Sequence, residues 1–64
     1  MKFNVPTIDS SDAAQKLQDV ILTSEPEAKI EIDSEAKTVV INSKASEETF
    51  KQLIVAAGHK INQN

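Results

Sequence analysis

Cysteine is absent from the 64 residues of this chain, so no disulfide and no thiolate metal site can form in it. Tryptophan and tyrosine are also missing. The two aromatic residues, Phe3 and Phe50, sit at core-like positions, which leaves no stacking surface for nucleic-acid bases. No apolar run approaches the roughly 20 residues needed to span a bilayer. Met1-Lys2-Phe3-Asn4-Val5 lacks the apolar stretch of a signal peptide. Basic residues are in the minority: the formal net charge is −3, with both signs interspersed and no basic stripe. These absences exclude nucleic acid and membrane insertion, and they point to a soluble cytoplasmic protein.

What is present is the balance of an ordinary globular domain, 39% hydrophobic and 27% charged residues. The length allows one domain over residues 1–64. A chain of this size buries only about 60% of the surface it exposes when unfolded, so its stability margin is thin. No linker, repeat or low-complexity stretch divides it.

Alternation of Phe3 and Val5 with Lys2 and Asn4 predicts a strand over 2–8, which Pro6 takes out of the ladder near its end. Asp9-Ser10-Ser11-Asp12 is rich in helix-capping residues. A helix then runs from Ala13 to about Thr23, burying Leu17, Val20 and Ile21, and Pro26 stops it. Ile30 and Ile32 alternate with Lys29 and Glu31, and Val39 and Ile41 continue the period beyond the polar turn 33–37. These two runs predict an antiparallel hairpin. Ser46 opens a second helix, with Glu47 and Glu48 at its positive end. Phe50, Leu53, Ile54 and Ala57 form its buried stripe, and Gly58 stands at the C′ position. Lys60-Ile61-Asn62 is long enough for a last short strand. The order βαββαβ predicts an α+β, ferredoxin-like fold, a four-stranded antiparallel sheet with two helices on one face. Its predicted core is Phe3, Val5, Leu17, Val20, Ile21, Ile30, Ile32, Val39, Ile41, Phe50, Leu53 and Ile54.

Fold alone does not fix function. Two local segments narrow it. Val5-Pro6-Thr7-Ile8 resembles the end of the first strand in cyanobacterial copper chaperones of the heavy-metal-associated domain family. Ala57-Gly58-His59 is similar to the end of their second helix and the loop beyond it. The resemblance extends to element lengths along nearly the whole chain. It implies a Cu(I)-trafficking module that docks on the metal-binding domain of a copper-transporting P-type ATPase, as a monomer or weak dimer. In that family a Cys-x-x-Cys motif in the first loop holds the ion. Aligned through Val5-Pro6-Thr7-Ile8, the two cysteine positions fall on Ser10 and Ala13. His59 falls where the family's histidine lies near the metal loop, as an auxiliary ligand or tuning group.

Cu(I) is soft and prefers thiolates. A serine hydroxyl is hard and an alanine methyl donates nothing, so no bound cofactor is expected. Serine and alanine are the usual near-isosteric stand-ins for cysteine, which leaves two origins open, natural loss of the ligands or an engineered form. A protein-interaction module of the same fold without any link to metal is the alternative function.

The remaining chemistry is weaker. Two carboxylates and two hydroxyls in Asp9–Asp12 provide too few oxygens, and no glycine turn, for calcium, so the run reads as a helix cap. His59 beyond a helix end also reads as a solvent-facing ring near the last carbonyls. The glutamates are dispersed, and a serine triad would need His59 as base, a buried acid and an oxyanion hole that the sequence does not provide. No enzymatic activity is expected.

Overall fold

The computed structural model describes residues 1–62. The elements are β1 (Lys2–Asn4), α1 (Ser11–Ser24), β2 (Lys29–Asp33), β3 (Thr38–Asn42) and α2 (Glu47–Ala56). The strands form an antiparallel sheet in the order β1-β3-β2. Phe3 stands opposite Val39 in β1–β3, and Ile30 and Ile32 stand opposite Ile41 and Val39 in β2–β3. That register sends Phe3, Val39 and Ile41 to one face, where all three are buried. Lys2, Val40 and Asn42 occupy the other face and are exposed. Leu17 and Ile21 of α1, with Phe50 and Ile54 of α2, bury against the same cluster, so both helices cover the inner face.

Among the described residues the sheet has three strands rather than the four expected. The sixth element shrinks to one bridge, Asn4 to Asn62, with Asn62 N donating to Asn4 O at 2.8 Å. Ile61 is the only apolar residue of this tail and is half-buried. Asn62, which follows it, belongs to a residue type depleted in strands, so the sequence here gives weak support to a longer ladder. Gln63 and Asn64 lie outside the described residues.

β1 is also shorter than its alternation implied. The chain turns at Pro6, with Ile8 N donating to Val5 O at 3.1 Å, a β-turn with proline at its second position. The reversal carries Ile8 into the core, where it is fully buried. Lys37 clamps this turn from the β2–β3 hairpin. Its backbone takes φ 58°, a left-handed conformation uncommon outside glycine. In that conformation its carbonyl accepts from Val5 N at 2.8 Å, and its Nζ donates to Ile8 O at 2.8 Å. The hairpin itself is pinned by the Asp33 carboxylate, which accepts from Glu35 N and Ala36 N at 2.9 and 3.1 Å.

Four core expectations need correction. Val20 is 38% exposed, because α1 turns Leu17 and Ile21 inward and leaves Val20 on a flank. Ile30, Ile32 and Leu53 are half-buried and pack against the core from its margin. For the isoleucines the reason is that β2 is an edge strand with a neighbour on one side only. Ile8 and Ala28 join the core in their place.

Candidate functional site

The β-turn at Val5–Ile8 delivers Asp9-Ser10-Ser11-Asp12 to the start of α1. Ser10 is the N-cap, with extended backbone (φ −160°, ψ 164°) and its Oγ accepting from Ala13 N at 3.1 Å. This satisfies one of the amides that the first helical turn leaves without a partner. Asp12 lies in the same turn, where its charge favours the positive end of the helix dipole. The acidic run therefore works as a cap.

The end of α2 supplies the facing wall. Ala57 is the C-cap, and Gly58 follows at φ 92°, where a side chain would be strained. Gly58 N donates to Val55 O at 2.9 Å and His59 N to Ile54 O at 3.2 Å. Those two bonds are the Schellman pattern, and they fix His59 as the second residue beyond the helix. Its ring then meets the first loop: Nδ1 lies 2.7 Å from Thr7 Oγ1. Lys60 N donates to the same hydroxyl at 3.1 Å.

Ser10, Ala13 and His59 thus border one open concavity of about 460 Å³, with Val20 and Ala57 as apolar walls and Asp12 and Lys16 also lining it. The structure brings the three sequence-derived site residues together. It also gives Ser10 and His59 other partners, with no hydrogen bond between them. Ser10 Oγ serves Ala13 N, Ala13 offers a methyl group, and His59 Nδ1 is engaged by Thr7. This donor set does not fit Cu(I), which needs soft ligands free to converge. Among the described residues no group of three or more His, Asp or Glu side chains could hold a metal ion of any kind.

Three contributors escaped the sequence. Thr7 reads there as an ordinary turn residue, and its partner His59 is 52 positions away. Lys37 gives no local sign that it will reach Ile8. Val20 belongs to an apolar stripe by spacing, and only the helix's rotation turns it to the concavity wall.

The fold and this end of the molecule define the class: an Atx1-type copper-chaperone architecture, the heavy-metal-associated fold, without any cysteine to supply its Cys-x-x-Cys. Several solved structures carry that statement. A protein from work on crosstalk between Cu(I) and Zn(II) homeostasis superposes with a TM-score of 0.92 at 27% identity, over 97% of this chain and 98% of its own. The copper chaperone Atx1 from Synechocystis PCC6803, in its Cu2 form, gives 0.90 at 27% identity, with 97% and 98% covered. The cyanobacterial copper metallochaperone ScAtx1, solved in solution, gives 0.80 at 27% identity, with 97% of each chain covered. No protein-family model and no curated protein matches the chain in sequence. Among the described residues no helix is long and apolar enough to cross a membrane.

Proposed function

We propose that this chain is a thiol-free copper-chaperone-like module, cytoplasmic and non-enzymatic. It docks on the metal-binding domain of a copper-transporting P-type ATPase and carries no Cu(I) of its own. Ser10 and Ala13 stand at the two former ligand positions, and His59 stands beside them as the former auxiliary group. The observation that carries the reading is the convergence of these three residues on one concavity, from elements far apart in sequence. The superposition with copper chaperones over 97% of the chain supports it. The docking surface is then the β1–α1 loop, the first turns of α1 with Val20, and the His59 loop.

The test is an NMR titration of the labelled chain with such an ATPase domain. Amide shifts confined to residues 9–20 and 57–60 are expected. Shifts concentrated on the exposed outer sheet face, around Val40, would instead favour an interaction module unrelated to metal. An unchanged spectrum at millimolar partner would refute docking.

A further inference from the structure

We infer that Thr7 is the positioning residue of His59: its hydroxyl donates to Nδ1, holds the ring as the Nε2–H tautomer, and latches the first loop to the last. The hydroxyl has one hydrogen and two lone pairs. Lys60 N–H already occupies one lone pair, at 3.1 Å. If His59 Nδ1 also donated, Thr7 would accept twice, and its own hydrogen would find no acceptor among the described residues. Donation from Thr7 to a bare Nδ1 gives the hydroxyl a partner for its hydrogen as well as for one lone pair, and leaves Nε2–H without a partner among the described residues. The separation of 2.7 Å is within the range of a hydrogen bond donated by a hydroxyl.

Two loops are joined by this one side chain. The first is held from behind by Lys37, through Val5 and Ile8. The last is held by the Schellman bonds of Gly58 and His59. Thr7 is the hydrogen-bonded link that couples them through both a side chain, His59, and a backbone group, Lys60 N. With Nδ1 occupied, the ring offers Nε2–H, which makes no hydrogen bond among the described residues. The site beside Ser10 and Ala13 therefore presents a donor, and it takes an acceptor oxygen, a carboxylate or backbone carbonyl. That use of the ring rests on the docking reading; the tautomer does not.

The test uses the full chain labelled with 15N, without any partner, so its result stands or falls apart from docking. Long-range proton–nitrogen correlation of the neutral ring distinguishes the nitrogens, because Nε2 couples to both carbon-bound ring protons and Nδ1 mainly to one. The bare nitrogen is expected to be Nδ1, at a position moved upfield by its hydrogen bond. In Thr7→Val that resonance should shift downfield, and the Lys60 amide should exchange faster with solvent. Thr7→Ser should restore both, which a purely space-filling role of Thr7 would not do. A bare Nε2 in the unsubstituted chain overturns the inference whether or not the valine variant folds. So does a Thr7→Val spectrum with an unmoved Nδ1.

Discussion

Removing the Ser10 hydroxyl isolates what that residue now does. Its Oγ accepts one hydrogen bond, from Ala13 N at 3.1 Å, at the exposed start of a 14-residue helix. Replacing a serine cap by alanine typically costs about 1 kcal/mol, within a range of about 0.5–2. At about 0.05–0.15 kcal/mol per residue, a chain of 64 residues has roughly 3–10 kcal/mol in total. The cap is thus a noticeable share, and Ser10→Ala should lower the melting temperature by about 4–8 °C for each kcal/mol lost. Ser10→Asp, another good cap, should remain near the original value. Ser10→Cys should fall close to alanine while the thiol is protonated, because sulfur is a weak acceptor. Helix signal followed by circular dichroism through thermal unfolding gives all three. If Ser10→Ala has an unchanged melting temperature, Ser10 is not serving as the cap.

Other expectations follow from burial, backbone and charge. Ile54 is fully buried, so Ile54→Ala should cost about 2–5 kcal/mol, and half-buried Leu53→Ala clearly less; equal denaturation midpoints would contradict the assigned helix face. Gly58→Ala meets no atom within 4 Å, so its cost should be backbone strain alone, about 1–2 kcal/mol, read by thermal melting. Its His59 amide should lose protection from exchange, since the Schellman turn depends on that φ. The protonated Glu25 carboxyl donates a hydrogen bond to Glu27, and this, with some desolvation and the neighbouring charge, raises its pKa above 4.5. The folded state therefore favours protonated Glu25. That contribution is complete below pH 4.5 and is lost as pH rises through the raised value. Glu27→Gln should bring the titration of Glu25, followed by carboxyl NMR, down toward its ordinary range.

Local pattern carried the element order because period and punctuation agreed. Ser10, Ser46, Pro26 and Gly58 mark helix ends by chemistry that acts within a few residues, and the structure uses each at or next to the expected place. The alternation in 29–33 and 38–42 likewise sufficed for the hairpin. What escaped depends on partners far along the chain. Ile8 is buried because a turn reverses before it, and β2's isoleucines are half-buried because of where the strand lies in the sheet. Of the expected last strand the described residues show one bridge, between Asn4 and Asn62. Ser10, Ala13 and His59, which the resemblance singled out, line one concavity, whereas Thr7 and Lys37 act across 52 and 29 positions and leave no local trace.

Ser10 and Ala13 are proposed to stand where a chaperone of this fold keeps its thiolates. Competition for Cu(I) against a chromogenic chelator tests it, with the chain as it is and with Ser10→Cys and Ala13→Cys combined. The unsubstituted chain should leave the chelator its copper, because no soft donor is present. The double variant should withdraw one Cu(I) per chain, since cysteines in the loop and first helical turn can converge and a helix start lowers thiol pKa. A folded, reduced double variant that withdraws no copper, or an unsubstituted chain that does, contradicts the account.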